Sequence, residues 1–378
     1  MSERHFDVIV VGLGAMGSAA ACQLGRRGQR VLGLEQFGIP HSYGSSHGVN
    51  RIIRLAYYED PSYVPLLRRS FELWRELQAD FGEQLLHLTG SLDIADRDHF
   101  VFRESLRSCQ IHDLPHDVLT ARKVRDRYPA FELPPAHMAV FQADGGYVMS
   151  ERAIVAHVMG ALATGAEIHG QEPVLSWAAT STGVRVETSK GSYAADQLVL
   201  CTGAWMGSML PDLAAHFRPE RQVLGWFQPD RPEWYTNETM PVFNLGMGEE
   251  RYYGFPICGI PGFKFGKYHH RFEEIDPNNW DRNPGAEDEA VLRDAIRQVF
   301  PSANGPVLSM SACMFTNTPD EHFVIDRLAP GSPVVVASPC SGHGYKFAAV
   351  IGEILADLVT KDGTDHDIDL FKLSRFSG

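Results

Sequence analysis

The stretch "FDVIVVGLGAMGSAAACQLGRRGQRVLGLEQ", residues 6–36, decides the fold. Residues 6–11 form a run rich in β-branched side chains, as in a parallel strand that is buried on both faces. Glycines in G-x-G-x-x-G spacing follow, then a helix pattern that ends near Gly28 and a second strand at residues 30–34. The stretch therefore predicts a complete βαβ unit.

Each glycine of this motif has its own predicted role. Gly12 permits the tight turn, Gly14 lets the backbone approach a pyrophosphate, and Gly17 lets the helix pack against the strand. The first helical residues, with Ala15 and Met16 among them, turn free N–H groups and the positive end of the helix dipole towards the phosphates.

An acidic residue closes the second strand. Glu35, followed by Gln36, stands where a carboxylate accepts hydrogen bonds from ribose hydroxyls and repels a 2′-phosphate. With both strands and this carboxylate in place, the pattern predicts dinucleotide binding. The motif alone does not distinguish FAD from NAD.

Three features favour FAD. The βαβ unit begins the chain, and a later apolar strand ends in "CTGAW" (201–205), which contains Gly203 and Trp205. The third feature is "SGHGYKF" (341–347), where Gly342 and Gly344 precede an apolar helix pattern. A helix N-terminus aimed at the flavin pyrimidine ring stabilises negative charge on the reduced ring. The alternative is that these glycines only form a loop before a packing helix.

The rest of the chain predicts an α/β protein with two domains. A discontinuous FAD-binding domain is expected at residues 1–84, 144–216 and 303–378, and a substrate domain with a mainly antiparallel sheet at 85–143 and 217–302. Residues 63–81 predict an amphipathic helix. Residues 144–168 predict a turn, a helix and a strand, and "GSYAA" (191–195) and "QLVLCTGAW" (197–205) predict separate strands.

Charge and cysteine usage narrow the function. The net charge of −13, from 34 basic and 47 acidic residues, argues against nucleic acid and anionic membranes as main partners. The six cysteines are scattered without a C-x-x-C pair, so neither a disulfide framework nor a metal site is expected. No apolar run reaches membrane-spanning length, and no signal peptide precedes the first strand, so a cytoplasmic location is expected.

Four further motifs carry a resemblance to a known family. They are "PHSYGSSHGVNRIIRLAYYED" (40–60), "GFKFGKY" (262–268), "ACMFTNTPDEHFVID" (312–326) and the "SGHGYKF" stretch. Together, and in this order, they resemble the monomeric sarcosine oxidase family, with the greater likeness to its N-methyl-L-tryptophan oxidase branch. The resemblance covers essentially the whole chain.

This resemblance implies a monomeric flavoprotein with a glutathione-reductase-like fold. Its FAD is bound covalently through the 8α-methyl group to a cysteine thioether. The implied reaction oxidises a secondary amino acid with O₂, which gives hydrogen peroxide and an imine that hydrolyses. The matching cysteine is Cys313; a buried structural role for Cys313 and attachment at Cys340 are the alternatives.

The resemblance also assigns roles to side chains. Arg54 and Lys346 match the pair that holds the substrate carboxylate, and Lys264 matches the lysine that activates oxygen at the flavin. The residues that match positions near the flavin are Ser45, His47 and Arg51. Tyr57 and Tyr253 match aromatic residues beside the substrate amine. His343, in the closing loop, contacts flavin or substrate, or else is a structural hydrogen-bond donor.

The chain departs from the family pattern at some positions. Tyr268 stands where the family often has a histidine, so either His269 takes that role from the next position or the role is absent. Leu55 and Tyr58 replace residues that are often histidine and glycine, and Tyr58 is expected to narrow or re-line the substrate pocket.

Three other functions remain open from the sequence. The first is a FAD-dependent amino-acid dehydrogenase of the same fold that uses an acceptor other than oxygen. The second is an NAD-dependent amino-acid or imine dehydrogenase. The third is a flavin-binding RNA-modifying protein, against which the negative charge counts.

Overall fold

The computed structural model describes residues 4–376, so the outermost residues of the predicted FAD-binding segments, 1–3 and 377–378, lie outside the described part. Within it, the strands are β1 (Arg4–Val11), β2 (Val31–Leu34), β3 (Asn50–Ile53), β4 (Leu86–Leu88), β5 (Ser91–Asp96), β6 (Asp117–Thr120), β7 (His137–Gln142), β8 (Gly146–Met149), β9 (Glu167–His169), β10 (Val174–Thr180), β11 (Gly183–Thr188), β12 (Ser192–Leu200), β13 (Arg218–Phe227), β14 (Val242–Met247), β15 (Glu250–Phe255), β16 (Phe263–Lys267), β17 (Val307–Asn317), β18 (Val324–Arg327) and β19 (Val334–Ser338). The helices are α1 (Ala15–Arg26), α2 (Val64–Phe81), α3 (Phe100–Ile111), α4 (Ala121–Arg127), α5 (Ser150–Ala163), α6 (Met206–Met209), α7 (Ala286–Val299) and α8 (Ala348–Lys361).

The first sheet contains the predicted βαβ unit. Its strands run in the order β10-β11-β12-β1-β2-β9, and β1 is parallel to both β12 and β2. Strand β19 pairs with the second half of β12 and with β18. Helix α1 packs against α5 and α8. Helices α1 and α8 cross so closely that a Cβ at Gly352 would lie 2.6 Å from the backbone carbon of Ala19, which leaves room only for glycine.

One local prediction for this part of the chain is wrong and one is incomplete. Residues 191–195 and 197–200 do not form separate strands; both lie on β12, because Asp196 faces outward and one exposed charge does not interrupt a strand. The predicted turn is present at residues 143–144, and a strand that was not predicted, β8, follows it because residues 146–149 pair with β3 and β4 in a three-stranded sheet.

The second large sheet has the order β17-β13-β16-β15-β14-β5-β7-β6. Only the β14–β5 pair is parallel, so the sheet is mainly antiparallel, as predicted. A phenylalanine cluster fills one side of it, with Phe243, Phe263 and Phe300 in mutual ring contact. Strand β17 follows residue 303 yet belongs to this sheet, so one strand of the predicted FAD-binding segment crosses to the second sheet. The division into domains stays a prediction.

Across residues 4–376, no helix is both long enough and apolar enough to cross a lipid bilayer.

Candidate active site

A continuous cavity runs along the carboxyl ends of β1, β2 and β12 and reaches the second sheet at β15 and β17. It encloses about 1710 Å³ of space, with open solvent at its mouth included. The residues in its wall that the sequence predicted are Gly12, Gly14, Ala15, Met16, Glu35, Gln36, Ser45, Arg51, Gly203, Trp205, Tyr253, Cys313, Gly342, His343, Gly344 and Lys346. The predicted residues that lie behind this wall are Gly17, His47, Arg54, Tyr57 and Lys264.

The turn between β1 and α1 requires glycine at positions 12 and 17. Gly12 has φ of +85°, and a Cβ there would lie 2.5 Å from the backbone oxygen of Cys201. A Cβ at Gly17 would collide with the backbone oxygen of Gly12, so Gly17 acts in helix packing rather than in the cavity wall. Gly14 directly precedes α1, and these glycines bring the start of the helix to the cavity.

Glu35 is held rigidly at the cavity. Its carboxylate accepts hydrogen bonds from the backbone N–H groups of Leu13, at 2.8 Å, and Phe37, at 3.0 Å. His41 Nε2 lies 3.5 Å from the same carboxylate. The acidic group at the end of β2 is therefore buried and oriented, as a ribose-binding carboxylate requires.

The closing loop is built on two glycines. Gly342 has φ of +80°, and a Cβ at Gly344 would collide with the backbone oxygen of Pro339. Lys346 follows in a short 3-10 turn, Tyr345–Phe347, ahead of α8. Its buried Nζ donates to the backbone oxygen of His343 at 2.7 Å.

The charge of Lys346 depends on its surroundings. Burial, together with the nearby Arg54 guanidinium, lowers the pKa of Lys346 to about 7. Because Lys346 lies in the cavity wall, an anion bound beside it would favour its ammonium form.

The residues predicted to lie near the flavin include a buried histidine, His47, whose Nε2 has no hydrogen-bond partner among the described residues. Arg51 donates to the backbone oxygens of Ser45, at 3.0 Å, and Asn50, at 2.9 Å. Behind it, His47 is buried with no partner for Nε2, and burial and Arg51 lower the pKa of His47 to about 4. Cys313 lines the cavity, and burial raises the pKa of its thiol although Arg51 opposes this.

These residues fit FAD. The glycine turn and the start of α1 suit the pyrophosphate, and Glu35 suits the ribose. The unpartnered Nε2 of His47, behind the wall, and the thiol of Cys313, in the wall, both lie near Arg51, where a flavin ring would supply polar atoms and a reactive methyl group. Cys340 also lines the cavity, so both thiols that the sequence singled out are present there.

Lys264 is buried on β16 with all of its N–H groups engaged. Its Nζ donates to the backbone oxygens of Gly48, at 2.7 Å, and Asn50, at 2.8 Å, and to Asn50 Oδ1 at 2.8 Å. Burial lowers the pKa of Lys264 well below its usual value, with Arg51 as the next cause. Three carbonyl oxygens around one Nζ are what an ammonium with three donors needs, so this arrangement opposes the effect of burial.

Arg54 is also buried, and it is fully paired. The guanidinium donates to the backbone oxygen of Ala56 and to both oxygens of Glu59, at 2.8 and 3.2 Å. Its Nε lies 3.7 Å from Asp93 Oδ1. Arg54 therefore lies next to two carboxylates instead of facing the cavity with free donors.

Aromatic side chains form the wall at the substrate end. Tyr253 and Tyr268 pack edge to face at 5.1 Å, and the Phe315 ring lies 5.8 Å from Tyr268. All three line the cavity. Tyr57 lies just behind, with the Arg54 guanidinium 4.5 Å above its ring.

Tyr268 and His269, the two candidates for the role of the family histidine, lie in different surroundings. Tyr268 lines the cavity, whereas His269 lies between the carboxylates of Glu220, at 2.9 Å, and Glu321, at 3.0 Å. Both carboxylates hold the pKa of His269 up at about 9. His269 is thus an ion-pair centre and does not replace the family histidine in the cavity wall.

The sequence reading missed several buried groups. Glu59 lies inside a quoted motif but was not singled out, and Asp93 interrupts the apolar strand "SLDIAD" at a core-facing position. A buried carboxylate in an apolar strand signals a buried cation nearby, and Arg54 is that cation. Neither the residue type nor the spacing distinguished Arg251 or Phe315 as a site residue in the sequence.

A dinucleotide-binding βαβ sheet joined to a mainly antiparallel sheet, with buried cations and thiols around the cavity between them, defines a flavin-dependent oxidoreductase. The chain belongs to the FAD dependent oxidoreductase family, whose sequence profile matches residues 7–358. It is 42% identical to a monomeric sarcosine oxidase of Streptomyces avermitilis, over 98% of each chain. It is 35% identical to an N-methyl-L-tryptophan oxidase of Yersinia pestis, over 98% of this chain and 99% of the relative.

These identities correct one expectation. The chain is more similar to the sarcosine oxidase, at 42% identity, than to the N-methyl-L-tryptophan oxidase, at 35%. The expected greater likeness to the N-methyl-L-tryptophan oxidase branch is therefore wrong for these two relatives. Among solved structures, the open form of NikD, an unusual amino acid oxidase essential for nikkomycin biosynthesis, matches with a TM-score of 0.85 at 25% identity over 98% of this chain and 97% of the other. L-Proline dehydrogenase from P. horikoshii shares the fold at the same TM-score and 22% identity, over 99% of this chain and 98% of the other.

Proposed function

We propose that this enzyme oxidises the CH–NH group of a secondary amino acid, either N-methylated or cyclic, with FAD as cofactor and O₂ as acceptor. The products are hydrogen peroxide and an imine, which hydrolyses to an amino acid and an aldehyde. The observation that carries the proposal is the buried side chain of Lys346 in the cavity wall, next to an aromatic compartment. The names of the relatives at 42% and 35% identity support the reaction class.

Lys346 binds the substrate carboxylate. Arg54 also binds it when the Glu59 carboxylate moves away from the guanidinium that it now pairs with. Because the protein has a net charge of −13, a site for the carboxylate of a small amino acid must supply its own cations. An ammonium and a guanidinium are suitable groups. The rings of Tyr253 and Tyr268 exclude water from the amine and favour its neutral form, because an apolar wall disfavours a charged ammonium.

The cofactor is held by the glycine turn, by Glu35 and by a thioether to Cys313. When bound, FAD would supply the two-electron redox chemistry that links the substrate C–H bond to O₂. The proposal of covalent attachment is supported by the position of Cys313 in the cavity wall and by the matching motif around it. Lys264 supplies the fixed positive charge that favours superoxide, the first product of oxygen reduction.

A second candidate is a dehydrogenase of the same fold with another electron acceptor. It is favoured by one observation, that Lys264 lies behind the cavity wall with its donors engaged. The two functions differ in how fast the reduced enzyme reacts with O₂, compared with an artificial quinone.

The test starts from the purified protein. Acid precipitation should give a yellow pellet, which establishes covalent flavin, and sarcosine, N-methylalanine, N-methyltryptophan or pipecolate should then produce peroxide. A protein that lacks flavin, or that oxidises none of these amino acids, would overturn the proposal. Oxidation with a quinone but without peroxide would support the dehydrogenase.

We also propose that the enzyme is a monomer of the cytoplasm whose partners are a small amino acid and O₂, with neither nucleic acid nor membrane. The cytoplasmic location is supported by six cysteines that are all unpaired in the described residues. The monomer is proposed from the names of the sarcosine oxidases, and sedimentation at micromolar concentration tests it.

A further inference from the structure

Strand β15 directs alternate side chains towards the cavity. Tyr253 and Phe255 both line it, and Arg251 is the next residue on the same face because strand side chains alternate. The Arg251 guanidinium carbon lies 4.9 Å from the ring centroid of Tyr268, itself in the cavity wall, and 5.6 Å from that of Phe100, a residue that is 38% exposed. Arg251 does not itself line the cavity; it lies against the Tyr268 ring of the wall, between that ring and Phe100 near the surface.

The guanidinium of Arg251 has few partners for its five N–H donors. Among the residues that the structure describes, its hydrogen bond goes to Glu321 Oε2, at 3.4 Å. The Arg251 side chain is 15% exposed and that of Glu321 is 42% exposed. A long contact with a half-exposed carboxylate contributes little, so a mostly buried cation keeps donors available.

The pairing of Glu321 does not explain Arg251. Glu321 is already bonded by His269 at 3.0 Å, and the pKa of His269, raised to about 9, keeps that ring charged. The contrast with Arg54 is direct, because that guanidinium donates to Glu59 at 2.8 Å and lies beside Asp93. Of these two arginines, Arg251 is the one with N–H groups free for a ligand.

Resting on the function proposed above, we propose that Arg251 determines substrate specificity by binding a second carboxylate, at the end of the substrate remote from its α-carboxylate. Lys346 binds the α-carboxylate and the planar guanidinium binds the distal one. A guanidinium fork matches carboxylate geometry, and a buried cation with few partners is stabilised by an anionic ligand. The substrate class is therefore a dicarboxylic secondary amino acid.

The first test measures binding without turnover. Glutarate and its monoamide, glutaramate, have the same length and differ by one charge. Calorimetry on the FAD-loaded enzyme should find glutarate bound about 10- to 100-fold more tightly, the range of a charge-assisted hydrogen bond. Arg251→Gln should bring the ratio of the two dissociation constants close to one, and Arg251→Lys should keep part of it. An unchanged ratio in Arg251→Gln, or a ratio near one in the unmodified enzyme, overturns the proposal.

Two further variants separate ligand binding from a structural role. Arg122→Gln removes an exposed arginine of α4, which pairs with Asp126 at 3.8 Å, and should leave the ratio unchanged. Glu321→Gln removes the competing carboxylate, so the preference for glutarate should be kept or should rise. A loss of preference in Glu321→Gln equal to that in Arg251→Gln would mean that Arg251 acts only within the ion-pair network, and would overturn the proposal.

Turnover distinguishes this proposal from the function on which it rests. N-methyl-L-glutamate should have a higher kcat/KM than its neutral isostere N-methyl-L-glutamine, and Arg251→Gln should remove the difference. If neutral secondary amino acids are oxidised without this discrimination, the specificity proposal alone fails. If no secondary amino acid is oxidised, the proposed function fails, while the glutarate ratio still reports on Arg251.

Discussion

The hydroxyl of Tyr57 lies 2.6 Å from Nδ1 of His343. The other ring nitrogen of His343, Nε2, lies 2.9 Å from the backbone oxygen of Glu321. A backbone oxygen only accepts, so Nε2 carries the ring proton and Nδ1 accepts from Tyr57. Burial lowers the pKa of His343 to about 4, so the ring is neutral at pH 7 and holds a fixed place in the cavity wall.

Tyr57→Phe should therefore destabilise the protein by about 1–3 kcal/mol, because Nδ1 of a buried histidine is left without a donor. The matched control is Tyr63→Phe. Tyr63 is also buried, and its hydroxyl lies 3.0 Å from Nδ1 of His322, a half-buried ring that water can reach once the hydroxyl is removed. Urea unfolding of the three proteins checks the order, and a cost of Tyr63→Phe equal to or above that of Tyr57→Phe would contradict it.

Anion binding should weaken above pH 7 because of Lys346. Burial lowers the pKa of this lysine to about 7, so its charged fraction falls as the pH rises through that value. A bound carboxylate raises the pKa again, which means that binding takes up a proton on the alkaline side. The dissociation constant of a simple carboxylate such as acetate should rise about tenfold per pH unit above the pKa.

Lys346→Arg keeps its charge throughout this range and should flatten the pH profile of carboxylate binding. Lys346→Met should weaken binding at pH 6.5 and also remove the pH dependence. Spectral titration of the flavin follows the binding, and a profile in Lys346→Arg that matches the unmodified enzyme would assign the titration to another group.

Lys264→Met should slow reaction of the reduced enzyme with O₂ roughly a hundredfold or more, the effect of removing one stabilising charge from a developing anion. The anaerobic reduction rate by substrate should change far less. Lys267→Met is the matched control, because Lys267 lies on the opposite face of β16 and pairs with Glu250 at 2.6 Å. Stopped-flow measurement of both half-reactions decides, and equal slowing of the two by Lys264→Met would remove Lys264 from the oxygen reaction.

Cys313→Ala should give a protein whose flavin is released by acid and appears in the supernatant. Cys340→Ala should keep a yellow pellet, which makes it the control for the second thiol in the cavity wall. The loss of one covalent bond leaves the glycine turn and Glu35 in place, so Cys313→Ala should still bind FAD reversibly. Absorbance of pellet and supernatant at 450 nm is the measurement, and the reverse result would assign the attachment to Cys340.

The βαβ unit was predictable because its signal is local. The apolar run, the glycine spacing and the acidic residue predicted β1, α1 and β2 to within a few residues, and the second, mainly antiparallel sheet was predicted as well. The continuity of β12 was not, because it depends on pairing with β1, β11 and β19 rather than on its own sequence.

The wall of the site was less predictable than its location. Arg54 was singled out, yet its pairing with Asp93 joins residues on distant segments and only the fold brings them together. Arg251 has no motif around it and is recognisable only through its place beside Tyr268. Residue type and spacing thus indicated the kind of site, whereas the partners of each charge required the three-dimensional structure.

Acid should destabilise the enzyme in part through His157 on α5. This histidine is buried beside Trp74, at 5.5 Å between ring centroids, and burial lowers its pKa to about 3, with Arg26 as the second cause. Its pKa in the unfolded chain is near 6.5, so protons favour unfolding, and the stabilisation is full above pH 6.5 and is lost as the pH falls towards 3. Between pH 7.5 and 5.0 this loss amounts to about 2 kcal/mol.

His157→Leu removes the titrating group, so its free energy of unfolding should fall less between pH 7.5 and 5.0 than that of the unmodified enzyme, by about 2 kcal/mol. The comparison is made within each protein across pH, which cancels any change in packing against Trp74. His5→Leu, at an exposed position, controls for the removal of a histidine as such. Urea unfolding at the two pH values is the measurement, and the same pH dependence in His157→Leu and the unmodified enzyme would show that another group carries the acid sensitivity.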